Sequence, residues 1–215
     1  RKVGFGFGPN ELLPARVESW NNKQLTSNFK SVGVAKRYSD VEIWPQEYNF
    51  SFEDRLRRAG EYNEGKKEIE NSKKLTSVEK KKRVRTLRDQ TDVALFDVYK
   101  FWNSAIYGDD MVKQRLTHFW TNHFTVGGGG RRNYIIGDFI YRVIYGNLNA
   151  SFDELLYKVT THVGMLDYLD NAESVGERSE SARWARRNGK TQGLNDNLAR
   201  ELLELHSVSP NKKYT

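Results

Sequence analysis

From residue 89 onward, apolar residues recur at helical spacing and hard breaks separate the runs. Val93, Phe96, Val98, Tyr99, Phe101 and Trp102 make one run. Gly108, Asp109 and Asp110 interrupt it and supply helix-start carboxylates. A second run covers residues 110–124, and four consecutive glycines at 127–130 form the strongest break in the chain. Ile135, Ile136, Phe139, Ile140 and Val143 stripe a third helix over residues 133–146. Ser151 and Glu154 read as a capping box that opens a fourth helix running to Asp170. Residues 171–193, rich in Ser, Glu, Arg and Gly, read as loop, and residues 195–207 as a fifth amphipathic helix. This pattern predicts a mostly α fold: an irregular multi-helix bundle with long loops and little or no β.

Ahead of that core, residues 1–60 read as an irregular N-terminal part with short helices. Gly and Phe alternate over residues 1–9, but neither a GK[ST] ending nor a GxGxxG after a strand is present, so no phosphate loop is indicated. Residues 10–30 read as a short helix and a polar loop. Val32, Val34, Val41, Ile43 and Trp44 suggest short extended pieces, and Ser51 reads as a helix N-cap. Residues 61–88 form a basic charged segment. Within 66–88, ten basic residues stand against three acidic ones, a surplus of seven that equals the net charge of the whole chain. Either this is a solvated helix or linker, or it is an anion-facing arm built around Lys80, Lys81, Lys82 and Arg83. It lacks interleaved aromatics for base stacking, so nucleic acid is not the expected partner. Residues 89–215 form the helical core, expected to continue beyond residue 215.

Composition narrows the chemistry further. None of the 215 residues is Cys, which removes a disulfide framework, a thiolate nucleophile and Cys-ligated zinc or iron–sulfur sites. An aromatic content of 13% argues for a packed core over disorder. No window approaches the ~18 apolar residues of a membrane span.

Four histidines remain as candidate chemistry. At ~100° per residue, His123, His162 and His206 fall within the apolar arcs of the second, fourth and fifth helices, while His118 falls on the opposite face. Each alone reads as a packed, hydrogen-bonded core histidine. Together they suggest a shared polar or metal site, and imidazoles suit a divalent transition metal. Glu201, Glu204, Asp167 and Asp170 are the candidate carboxylate partners. There is no HExxH, and ~140° separates Glu201 from His206, so any metal site must combine helices. Arg200 and Glu204, four apart, read as a surface ion pair or as part of an Arg/Glu/Asn strip facing a cleft, with Glu201, Glu204 and Arg200 as catalytic candidates. No G-x-S-x-G elbow supports a Ser-His-Asp arrangement.

Three strings carry a family resemblance: QRLTHFWTNHF at 114–124, HVGMLDYLDN at 162–171 followed by Ser174, and GLNDNLARELLELH at 193–206. With Gly4, Phe5 and Gly6 near the start and Tyr214 and Thr215 at the end, they resemble the bacterial family catalogued as domain of unknown function 1800, best over residues 112–215. His123, His162 and His206 match family motif positions, as do Asn171, Asn195, Asn197, Arg200, Glu201 and Glu204; His118 does not. The chain departs from the family at Val163 and Gly164, at Asp196 and at residues 207–210. The resemblance implies an exported, periplasmic or extracellular protein, often encoded beside a sulfatase-like partner family, with no settled activity.

Two functions follow as expectations. One is a structural or assembly subunit of an envelope or extracellular complex with a His/Glu polar core. Its contact surfaces for an acidic protein or glycan would be Lys80, Lys81, Lys82 and Arg83 with Arg186 and Arg187 of the Arg-rich stretch 178–187. The other is a metal-dependent hydrolase using His123, His162, His206 and a Glu of the last helix.

Overall fold

The computed structural model describes residues 16–26, 50–107, 110–130, 132–209 and 211. The expected extended pieces around Val32 to Trp44 and the Gly/Phe lead-in lie outside these residues. Among the described residues every regular element is a helix, and there is no strand. The α-helices in chain order are α1 (Val17–Thr26), α2 (Phe52–Asn71), α3 (Ser77–Thr91), α4 (Ala94–Tyr107), α5 (Met111–His123), α6 (Arg132–Asp138), α7 (Phe152–Thr161), α8 (Val163–Tyr168), α9 (Glu180–Arg187) and α10 (Asn197–Glu201).

Helix α2 starts where its cap dictates. Ser51 accepts from the Asp54 N–H, and the Asp54 carboxylate accepts in return from the Ser51 N–H. It crosses residue 60 without interruption. Thr76 and Glu79 form the same reciprocal cap on α3. The two helices pack as an antiparallel hairpin. Within α3 only Thr91 is buried, so the basic segment is a two-helix arm that shares little of the core.

The main core lies where α5 ends and where α7 and α8 pack on the chain that follows α6. Phe124, Phe139, Ile144, Val159 and Met165 are each 1% exposed or less. Burying one such side chain stabilises by about 1.5–3 kcal/mol. A smaller cluster of Ala59, Val93, Tyr134 and Ile135 joins α2 to α6.

Four expected elements differ from what is observed. The third helix winds into π geometry over Phe139–Ile144, and the fifth does so over Leu202–Ser207. The expected fourth helix breaks at His162, which leaves helical geometry (φ −71°, ψ 136°) to end α7 and begin α8. At its start, the Ser151 hydroxyl accepts from the Glu154 N–H, but the reciprocal half of the box is not formed. The expected loop 171–193 contains α9, capped by the Ser179 hydroxyl accepting from the Ala182 N–H. The glycine break holds: Gly129 (φ 139°) and Gly130 (φ 54°) take backbone angles that disfavour other residues.

Candidate functional site

Helices α2 and α4 each bring one buried charge to the same place. Arg55 is 4% exposed and Asp97 is 7% exposed. They meet as a bidentate pair, with Nη1 donating to Oδ2 at 2.7 Å and Nη2 to Oδ1 at 2.6 Å. Arg55 also donates to the carbonyls of Tyr134 at 3.0 Å and Phe50 at 3.4 Å. Helix α6 comes so close that a Cβ at Gly137 would overlap the Asp97 carboxyl. Only glycine fits this crossing. Burial pushes the Asp97 carboxyl above the usual range, against the pull of Arg55 and Lys100.

One residue further, Asp138 anchors a second pair. It accepts from Arg142 Nε at 2.9 Å, Arg142 Nη2 at 2.7 Å and His162 Nε2 at 3.1 Å. Burial works to raise this carboxyl, but the hydrogen bonds from His162 and Arg142 outweigh it and hold it at about 2. A third group surrounds Asp110, which accepts from Tyr145 Oη at 2.6 Å and Gln114 Nε2 at 3.0 Å. Burial, with that bond to Asp110, raises the Tyr145 phenol far above its usual range. Lys100 lies 4.4 Å over the Tyr141 ring, and burial lowers its ammonium. A cavity of about 600 Å³ opens here, with Phe52, Arg55, Lys100, Asp138, Tyr141 and Arg142 on its wall.

The histidines expected to converge do not form one site. His162 is 6% exposed and fully committed. Its Nδ1 accepts from the Gly164 N–H at 3.0 Å, which caps α8. Nδ1 therefore carries no proton, and Nε2–H donates to Asp138. Its ring packs between Phe52 and Phe139. His123 and His206 form a separate pair, with ring centroids 6.2 Å apart and His123 Nε2 lying 3.3 Å from the His206 carbonyl. His206 is buried at 6% exposure, while His123 is only partly buried. Burial, and then the neighbouring His123, lower the His206 pKa, while Glu201 pulls it up. Among the described residues no three His, Asp or Glu side chains are placed to hold a metal ion.

The carboxylate strip is also arranged differently from the expectation. Arg200 reaches Asn197 Oδ1 at 3.2 Å and Glu201 at 3.9 Å, and it does not pair with Glu204. Asp167 binds Arg132 at 3.1 Å, away from the histidine pair. Of the basic contact residues, Lys80 donates to the Glu70 carbonyl at 2.7 Å and Arg186 to the Glu177 carbonyl at 2.9 Å. Lys81, Lys82 and Arg187 are exposed with no ion-pair partner among the described residues, and Arg83 faces Glu79.

The residues that sequence reasoning passed over are Arg55, Asp97 and Asp138, while Asp110, expected only as a helix-start carboxylate, makes no side-chain cap bond and accepts from Tyr145 and Gln114 instead. A usable signal existed for two of them: Asp97 and Asp138 are lone carboxylates inside strongly apolar runs, where an unpaired charge is costly. As it stands, the cluster ties α2, α4, α6 and α8 together. Each Asp97 oxygen is held by Arg55, and each His162 ring nitrogen already has a hydrogen-bond partner.

A family model described as Protein of unknown function (DUF1800) matches residues 1–215. No curated protein and no solved structure matches the chain. With the match running from the first residue to the last, the chain belongs to the DUF1800 family.

Proposed function

We propose that this chain is part of an exported structural or assembly subunit of an envelope or extracellular complex. The observation that carries the reading is the α2–α3 arm. It presents Lys81, Lys82 and Arg85 to solvent without ion-pair partners among the described residues, and α3 contributes only Thr91 to the interior. A helix with so little buried surface gains little from packing within its own chain, and its cations suit an acidic protein face. The buried charges support the same reading, because they are used up in holding helices together. Export is carried over from the family resemblance.

The metal-dependent hydrolase has less support, since His162 is engaged by Asp138 and Gly164 and stands apart from the other two histidines. The assembly reading is tested by affinity purification of the tagged full-length protein from the envelope fraction of its source cells. A stoichiometric partner is expected. Replacing Lys81, Lys82 and Arg85 by Glu should release it while the melting temperature stays within a few degrees. A monomer without a partner, or a partner indifferent to the charge reversal, contradicts the reading.

A further inference from the structure

Helix α4 is turned the opposite way from an ordinary surface helix. Leu95, Val98, Tyr99 and Trp102 recur at helical spacing and make one apolar stripe about 100° wide, the kind that normally faces a core. Here each of the four is between 50% and 58% exposed, while Asp97 and Ser104, on the far side of the helix, are buried. The inward face is already taken. Asp97 is held there by Arg55 of α2, and Gly137 of α6 lies against its carboxyl. Rolling the stripe inward would break that buried pair, so the stripe stays outside and its cover must come from outside.

We propose that the cover is the same stripe of a second copy, laid antiparallel about a two-fold axis. The order of the residues is self-complementary. The aliphatic pair, Leu95 and Val98, comes first, and the aromatic pair, Tyr99 and Trp102, follows. An axis between Val98 and Tyr99 sets Leu95 against the partner's Trp102 and Val98 against the partner's Tyr99. Every contact is then small against large, as interdigitating side chains require. A parallel pair would set Trp102 on its own copy. The charges at the two ends agree. Asp92 lies just before α4, where its carboxylate accepts from the Ala94 N–H at 2.8 Å. At the other end, Phe101 meets the His118 ring of α5 at 5.8 Å, which places exposed Arg115 level with the last turns of α4. Antiparallel pairing brings each Asp92 towards the partner's Arg115. Neither match is required of a surface that meets an unlike partner. Since a large aromatic side chain carries about 200 Å², four half-exposed side chains present roughly 400 Å². Two copies with their rim would bury about 1,000 Å², the low end for a specific interface, so the dimer is a micromolar one. This assignment is independent of the assembly reading, which rests on the α2–α3 arm, so the two can fail separately.

The test is sedimentation velocity of the full-length protein from low to high micromolar concentration. A reversible monomer–dimer equilibrium is expected. Val98→Glu and Trp102→Glu should each weaken it by about tenfold or more, because each buries a charge or removes an aromatic anchor. Both side chains are exposed, and an unchanged circular dichroism melt checks that the variants fold. Reversing Lys81, Lys82 and Arg85 should leave the dimer in place. The absence of Cys allows a second measurement that does not depend on those variants. Under mild oxidation Val98→Cys, beside the axis, should give a disulfide-linked dimer. Leu95→Cys should not, since its copy lies about 10 Å further along the helix pair. A monomer at every concentration, a dimer indifferent to the α4 variants, no link at residue 98, equal linking at 95 and 98, or loss only on reversing the α3 charges each overturns the proposal.

Discussion

At the scale of single residues, the fold is most sensitive to losing one partner of a buried charge pair. Removing one partner of a buried ion pair leaves the other desolvated, which costs about 3–5 kcal/mol. Arg55→Ala should cost that much in chemical denaturation, while an Arg55→Met/Asp97→Leu double variant should cost far less. Equal losses in the two would mean that the pair is not the source. Asp138 gives a pH signature. Its carboxyl is held at about 2 in the fold, against an ordinary 3.8. A depressed carboxylate contributes stability that is full above its unfolded pKa and is lost as pH falls through the folded value. Between about pH 4 and pH 2 the protein should therefore lose about 2 kcal/mol from this group. Asp138→Asn should flatten that part of the stability–pH curve. The sequence hid these pairings because Arg55 and Asp97 are 42 residues apart, and no local spacing records which elements cross. What it did display was each carboxylate's isolation among apolar neighbours.

At the scale of elements, helical periodicity located most of the helices and missed their irregularities. Wheel arithmetic assumes unbroken α winding. It placed His162 mid-helix, yet the residue breaks the helix because its own Nδ1 offers α8 a better N-terminus than continued winding would. The π turn of Leu202–Ser207 likewise shifts the fifth helix off its wheel, so that Leu205 is 60% exposed while His206 is buried. Helix α9 escaped because Arg and Glu dilute its pattern and its buried face is only alanine. Two predictions belong here. Gly137→Ala places a methyl against the Asp97 carboxyl at the α4–α6 crossing and should destabilise by about 1–3 kcal/mol as overpacking, measured by urea denaturation. His206, a base depressed by burial, disfavours protonation in the fold. Its contribution is full above its unfolded pKa near 6.5 and falls as pH drops below that value. Acidifying from pH 7 to 5 should loosen the C-terminal helix, seen as faster amide exchange over residues 197–207, and His206→Phe should remove that dependence.

At the scale of the whole molecule, a helical body held by crossed charges carries surfaces that its own packing does not consume, among them the α2–α3 arm, the outward stripe of α4 and the exposed face of α9 opposite Ala182 and Ala185. The all-α class, the family and the location of the positive charge were legible in the sequence, because periodicity, motif strings and charge runs are local properties. The separation of the histidines was not, since it depends on how α5, α8 and the last helix are placed. The central claim is that residues resembling chemistry here are committed to architecture, and His162 is the clearest case. Long-range ¹⁵N–¹H spectra of the histidine side chains at pH 7, with and without equimolar Zn²⁺, test it most directly. The expected result is a His162 ring protonated at Nε2 and bare at Nδ1, unchanged by zinc. A proton on Nδ1, or zinc-induced shifts shared by His123, His162 and His206, would contradict the account.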